Sequence, residues 1–475
     1  MDFADYRRHD AVGLADLVAR RDVSSAELLD VALARTAAVN PKLNAIVQLL
    51  EPLARRAIAD EPPSGPFSGV PFLLKDVTTQ LAGAATSGGS RVFAEVKAVD
   101  DSALVADYKR AGFVIFGKTN TPEFGLVGIT EPDLWGATLN PWNLELTCGG
   151  SSGGSASSVA AGIVPAAQAS DGGGSIRIPA SCCGLFGFKP SRGRVSMSPG
   201  GEGWGGLTVL HALTRSVRDS AAILDASSRP ETGDPYWLAP PKTPFADDVG
   251  RDPRALRIGL ITTNMYGAAL DKECETALRD AARLCESLGH NIEEVGTPPG
   301  VEGLIDAVMT VVGTNMAVNL EREGARRGRA IADHEIEPIT RMLYERAKTF
   351  TAIQYTQAIQ ALHAMSRKVA AWGERFDVLM LSTLGTLPLP VGLLKSGLGD
   401  LEAITARFYK FGPNTQLFNV TGQPAMSVPL AWDEQNTPIG IQFAGRYGDE
   451  ATLFRLAGQL ERAAPWFNRT PPELA

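Results

Sequence analysis

TCGGSSGGSASSVAAGIVPAAQASDGGGSIRIPASCCGLFGFKP, residues 147–190, carries two serine-bearing glycine turns. The first is Gly149-Gly150-Ser151-Ser152-Gly153-Gly154-Ser155 and the second is Asp171-Gly172-Gly173-Gly174-Ser175. Between them lie mostly alanine, serine and valine, enough for one helix. Glycine admits backbone conformations closed to other residues and lets peptide N–H groups approach a ligand closely. The flanks argue against a solvated linker, because Ile163, Val164, Ile176, Ile178, Leu185, Phe186 and Phe188 are too apolar for one. Two such turns joined by one compact element describe a site built from backbone, with hydroxyls set inside it.

Outward from this stretch the chain alternates strand and helix. Residues 70–77, VPFLLKDV, read as a short apolar strand carrying one lysine, Lys75. Residues 102–111 read as a helix and 113–116 as a buried strand. Towards the N-terminus, 11–60 read as helices, with Ser24 and Glu27 at capping-box spacing. Downstream, 256–262, 291–295, 377–381, 414–429 and 440–444 read as strands, and 272–288 and 301–375 as helices. Residues 232–253, rich in Pro and Asp, read as an exposed connection. The pattern predicts an α/β fold: a large mixed, mainly parallel twisted sheet covered by helices on both faces. No internal repeat is present and no linker forces a split. The expected organisation is a single domain over 1–475. Its parts are N-terminal helices (1–65), a core (66–230), a smaller helical α/β part (231–375) and a C-terminal part completing the sheet (376–475).

Composition narrows the function. The 475 residues are 44% hydrophobic, ample for a large core, and carry a net charge of -8. Acidic and basic residues interleave, so no basic run tracks a nucleic-acid backbone. The first residues hold no apolar signal core, and no later stretch reaches the length of a membrane span. A soluble cytoplasmic protein without a membrane partner is the expectation. Five cysteines, an odd number with Cys182 and Cys183 adjacent, argue against a disulfide framework. Those two read as buried packing. The five histidines are scattered, so no metal site and no cofactor are expected.

Three patterns compete for the chemistry. Gly112-Phe-Val-Ile-Phe-Gly117-Lys118-Thr119 fits a phosphate loop formally, but its middle four residues read as a strand rather than an exposed cradle. Gly149 to Gly153 satisfies GxSxG, yet no downstream histidine has a neighbourhood that suggests a triad. The third joins Lys75, Ser151 and Ser175. A serine hydroxyl is a poor nucleophile until a base takes its proton. A lysine serves if burial leaves it neutral. Lys75, ending an apolar strand, is placed for that, and the N–H groups of a DGGGS turn can converge on an oxyanion.

At these residues the chain resembles the amidase signature family. The family's marks are a lysine in a Lys-Asp pair (Lys75-Asp76), the turn at 149–155 and the DxGGSIR segment at 171–177, with Ser175 lying 24 residues after Ser151. Gly117 to Phe124, Asn140-Pro141-Trp142, Gly187 to Pro190 and Gly422 to Ala425 also look like family segments. The resemblance implies Ser175 as nucleophile, Ser151 as a bridging serine after a cis peptide, and Lys75 as the ultimate base. It implies an oxyanion hole from the N–H groups of Gly172, Gly173, Gly174 and Ser175. Ser152, Asp171 and Arg177 would buttress the turns. Gly125, Leu126, Val127 and Gly128 would line the substrate pocket, joined by Trp204. Leu134, Trp135, Leu207, Met316, Leu384 and Leu387 are further apolar wall candidates.

The resemblance fixes the chemistry better than the substrate. The stretch looks closest to stand-alone bacterial amidases, including those that open 6-aminohexanoate cyclic dimers and those that cleave aryl amides and carbamates. The expected substrate is a small-molecule amide or carbamate (urethane), bulky and uncharged. The alternatives are a cyclic-dimer hydrolase and an amidotransferase subunit that draws ammonia from glutamine. Dimers are common in the family, so a homodimer is among the expected states.

Overall fold

The computed structural model describes residues 1–60, 63–395 and 401–472. Residues 61–62, 396–400 and 473–475, which fall within the expected N-terminal and C-terminal parts, lie outside the described residues. Thirteen strands are present among the described residues: β1 (Ile46–Leu49), β2 (Pro71–Lys75), β3 (Val114–Thr119), β4 (Leu139–Asn140), β5 (Asn143–Thr147), β6 (Ala166–Asp171) and β7 (Phe186–Lys189); then β8 (Val209–Thr214), β9 (Arg257–Leu260), β10 (Asn291–Glu294), β11 (Val378–Ser382), β12 (Ala425–Trp432) and β13 (Pro438–Gly445). Eleven of them form one sheet in the order β1-β3-β2-β6-β8-β7-β12-β13-β11-β9-β10, and β4 pairs with β5 alone.

The sheet is the mixed, helix-covered α/β sheet expected. The expected predominance of parallel pairing holds in two runs only. These are β3-β2-β6 and β11-β9-β10. The pairings from β6 through β8, β7, β12 and β13 to β11 are antiparallel. Of these pairs, β12 and β13 form a hairpin across a short turn.

Side-chain alternation divides the core between the two faces of the sheet. Phe72 and Leu74 join one apolar cluster with Tyr108, Phe113 and Phe186. Leu73, between them, joins another with Phe116, Ala156, Val159 and Ala167. Successive strand residues point to opposite faces. Lys75 therefore shares the face of Leu73, the one that helix Gly153–Ala160 covers. That places a lysine under the first glycine turn before any contact is examined.

Several expected elements form close to their predicted bounds. Ser24 and Glu27 close a capping box on helix Ser25–Leu43. Residues 102–111 contain helix Ala103–Arg110, and 272–288 contain helix Lys272–Ser287. The stretch 301–375 resolves into helices Leu304–Arg327, Pro338–Lys348 and Ala352–Gly373. Other elements depart from expectation: β1 interrupts the helices predicted over 11–60, and β4 to β8 form where no strand was predicted. Helix Leu417–Val420 takes up part of 414–429, and helix Phe245–Val249, with Phe245 buried, lies within the connection expected to be exposed over 232–253.

Candidate active site

The first glycine turn enters helix Gly153–Ala160, and the second leaves β6. β2 and β6 run parallel as neighbours, so Lys75 and Asp171 end their strands at the same edge of the sheet. Both turns therefore meet over the end of β2. The peptide Gly150–Ser151 is cis, as the resemblance implies.

Lys75 is fully buried, and its Nζ lies 2.7 Å from Ser151 Oγ and 2.9 Å from Ser170 Oγ. Burial pulls the ammonium down to about 7, while the charge of Asp171 acts in the opposite direction. Asp171 is not a free counter-ion. It takes both Nε and Nη2 of Arg177, at 3.0 and 2.9 Å, with both side chains fully buried. It also accepts from the Gly174 and Ile176 N–H groups and from Asn419 Nδ2. Burial alone would raise its carboxyl; the Arg177 charge and these bonds hold it well below the usual range. Lys75 contacts only neutral hydroxyls, so burial is not offset by an adjacent free carboxylate and keeps an unprotonated amine accessible near neutral pH.

Ser175 lines the same cavity as Ser151, and its hydroxyl has no hydrogen-bond partner among the described residues. The rest of the second turn is clamped from outside. Thr415 Oγ1 donates to the Gly173 carbonyl at 2.6 Å, Asn419 Nδ2 donates to the Asp171 carbonyl at 2.8 Å, and Arg177 Nη1 reaches Gln442 Oε1 at 2.8 Å. A Cβ on Gly174 would collide with Thr415 Oγ1, and Gly174 has φ +134°. A Cβ on Gly172 would come within 2.7 Å of the Trp204 ring. At Gly174 the φ and the approach of Thr415 require glycine; at Gly172 a side chain would have to displace the Trp204 ring.

One expected donor is otherwise engaged. The Gly174 N–H is spent on Asp171 at 2.7 Å, because a buried carboxylate gathers every donor in reach. The N–H groups of Gly172, Gly173 and Ser175 have no partner among the described residues and remain for a ligand oxygen.

Two cavities meet at Ser175. One, of roughly 670 Å³, is polar and takes in Ser151, Ser170 and Thr86, with one face of helix Leu304–Arg327. The other, of roughly 190 Å³, is lined by Val308, Met309, Met342, Leu343 and Phe408 among others. Gly125, Gly172, Ser175 and Trp204 line both. All five expected pocket residues, Gly125, Leu126, Val127, Gly128 and Trp204, line the smaller cavity. Of the further wall candidates, Met316 lines the larger one. Leu207 and Leu384 are packed into the core instead, Leu134, Trp135 and Leu387 line neither cavity, and Trp135 donates to Ser87.

Sequence reasoning missed Ser170, the second partner of Lys75. It also missed Gln168, whose Oε1 accepts from the Lys75 and Thr79 groups, and the clamp from Thr415 and Asn419. Ser170 carried a signal, since it ends the strand just before the DGGGS turn; the others come from more than two hundred residues away or from inside a strand. The rejected patterns stay rejected on geometry. Residues 114–119 are the buried strand β3, with no exposed cradle, and none of the five histidines lines either cavity at Ser175. All five cysteines are free and buried.

A buried lysine, two hydroxyls and a clamped glycine turn beside a cavity define a hydrolase site of the acyl-transfer kind. The Amidase family model matches residues 27–454, and the chain belongs to that family, whose members hydrolyse amide C–N bonds. It is 38% identical to the 6-aminohexanoate-cyclic-dimer hydrolase of Pseudomonas sp. (strain NK87), over 97% of this chain and 96% of that protein. The protein of the same name from Paenarthrobacter ureafaciens matches to the same extent. Among solved structures, 6-aminohexanoate cyclic dimer hydrolase complexed with substrate superposes with a TM-score of 0.95 at 37% identity, covering 99% of this chain and 100% of that one. A bacterial aryl acylamidase superposes with a TM-score of 0.87 at 26% identity, covering 96% of each chain. Among the described residues no helix is long and apolar enough to cross a membrane.

Proposed function

We propose that the protein hydrolyses amides with an uncharged, apolar acyl part through an acyl-enzyme on Ser175. The observation that carries this is the Lys75 amine 2.7 Å from Ser151 Oγ, beside the cavity that holds the unpartnered Ser175 hydroxyl. Neutral Lys75 draws the Ser151 proton as Ser151 takes the proton of Ser175. Ser175 Oγ forms a bond to the carbonyl carbon, and the Gly172, Gly173 and Ser175 N–H groups receive the oxyanion. The C–N bond then breaks, and the leaving nitrogen takes its proton from Ser151. Water repeats the relay on the ester, releasing the carboxylic acid.

The two cavities give the reaction a direction. Ser151 faces only the larger, polar one, so the nitrogen that needs its proton leaves into that chamber, and the attacking water comes from there. The acyl part then occupies the smaller, apolar chamber. Its side-chain wall is aliphatic and aromatic except for Gln416, which suits a methylene chain or an aryl ring. It offers no pair of charges for the zwitterion of glutamine, which argues against the amidotransferase reading.

A cyclic oligoamide of ω-amino acids is the second reading, favoured by the 38% identical relatives. Aryl carbamates meet the same chemistry, because their carbonyl passes through the same tetrahedral oxyanion. The test is a panel of p-nitroanilides, linear and cyclic oligoamides and aryl carbamates, with Ser175→Ala as control. Wild-type turnover of at least one amide class, lost in the variant, supports the reading. Undiminished turnover in Ser175→Ala overturns it.

A further inference from the structure

One face of helix Leu304–Arg327 forms a wall of the polar chamber. Asn315, Asn319, Arg322 and Arg326 line it, at the helical spacing that brings residues to one side. The other charged side chains at this end of the helix are paired. Glu323 is held by Arg326 and Arg327, both at 2.7 Å, and Arg327 also binds Glu335, as does Arg329. Glu202 also lines the chamber, with the charge of Arg192 acting on it. Glu321, next in the chain to Arg322, is bonded to Tyr344 and does not line the chamber. Arg322 lines the chamber, is exposed, and has no partner among the described residues. Asn315 uses its Nδ2 on the Val311 carbonyl and keeps its oxygen; Asn319 keeps both polar groups.

An unpaired guanidinium with amides on the same helix face matches a carboxylate at the end of a chain that carries amide groups. We propose that Arg322 and Asn319 bind a carboxylate on the amine half of the substrate. The preferred substrates are then amides whose released amine is an ω-amino acid. This rests on the reading that the amine half lies in the polar chamber. Hydrolysis adds water across the C–N bond, giving an acid from the apolar chamber and a free amino acid from the polar one.

The test compares N-hexanoyl-butylamine with N-hexanoyl derivatives of 4-, 6- and 8-carbon ω-amino acids. The expected result is a kcat/KM about five-fold higher for at least one carboxylate substrate, expressed in KM, and suppressed by salt. Arg322→Gln lowers kcat/KM for the carboxylate substrates about five-fold relative to that for the butylamide, abolishing the preference. Equal kcat/KM across the wild-type series, with measurable turnover, overturns the carboxylate site and leaves the acyl-enzyme reading intact. Absence of turnover on every substrate counts against that underlying reading instead. In that case calorimetric binding of the 6-carbon substrate and the butylamide to the Ser175→Ala protein decides. Tighter binding of the carboxylate that is lost in Arg322→Gln supports the site, and equal binding overturns it.

Discussion

Two lysines lie one register step apart in the centre of this molecule. Lys75 ends β2 and Lys118 lies on β3, where Leu74 pairs with Lys118 and Lys75 with Thr119. Both are fully buried. Burial pulls both down, Lys75 to about 7 and Lys118 to about 8. Their partners differ. Lys118 donates to the Thr79 carbonyl and to Thr86 Oγ1, each at 2.8 Å, and the charge of Asp76 works to keep it protonated. Asp76 in turn is bonded to Ser87 and Gln48. Lys75 meets only hydroxyls, and its carboxylate neighbour is taken up by Arg177. The Thr86 hydroxyl that Lys118 meets gives its own proton to the Thr79 carbonyl at 3.3 Å, and a carbonyl accepts a hydrogen bond but has no proton to give, so Lys118 has nothing to relay. A serine hydroxyl both accepts and donates. Equal burial therefore yields a tie between loops in one case and, on the proposed mechanism, a proton acceptor in the other.

Exchanging the two roles is the hardest test. Lys75→Met is expected to lower kcat/KM on the order of a thousand-fold, the scale of a lost general base, with the urea midpoint held or raised. Lys118→Met is expected to keep kcat/KM within about three-fold and to lose about 2 kcal/mol of stability from its unmet carbonyl and hydroxyl partners. If the activity loss followed Lys118 and the stability loss Lys75, the contrast drawn here would collapse.

The pH profile sharpens it further. Wild-type kcat/KM should climb about ten-fold per pH unit below about pH 7 and level off above, because only the neutral Lys75 amine accepts a proton. Lys118→Met should leave that inflection in place. Ser170→Ala removes an acceptor that favours the ammonium, so its inflection should move to lower pH, by on the order of half a pH unit. An upward move would mean that Ser170 does not bond the charged form.

The smallest effect lies in stability. The folded Lys75 value is depressed to about 7 from the ordinary 10.5. Across that window the unfolded chain holds a proton that the folded one has lost. Stability thus rises with pH between these values and is lost as pH falls through about 7. Urea midpoints of wild type and Lys75→Met, measured between pH 7 and 9, should diverge, with the steeper rise in wild type. Parallel lines would show that Lys75 carries no such linkage.

Much of this was legible in the chain. The alternation of Phe72, Leu73, Leu74 and Lys75 put the lysine on a definite face, and the two glycine turns marked where backbone would approach a ligand. What stayed hidden required knowing which distant segments meet. Thr415 and Asn419 look like ordinary polar residues until the fold lays them against the DGGGS turn. Ser170 depends on β6 lying beside β2, and strand order is not written in either strand alone. The apolar chamber draws on three helices, Leu304–Arg327, Pro338–Lys348 and Leu401–Phe411. Each shows an apolar stripe, but a stripe does not say what it faces. The engagement of the Gly174 N–H was hidden for a different reason: DGGGS fixes the order of donors, whereas the competition among them is decided by Asp171.

The tight fit of the second turn also shapes how such an enzyme can diversify. Gly174 has no room for a side chain against Thr415, and one at Gly172 would have to displace the Trp204 ring. A change at Gly174 needs a simultaneous change on the facing segment, a two-step path with a non-functional midpoint. Met309, Met342 and Phe408 stand on separate helices and touch the substrate space from outside. They can change one at a time. The helical walls are therefore the readier place for new substrate contacts, and Gly174 the least yielding one.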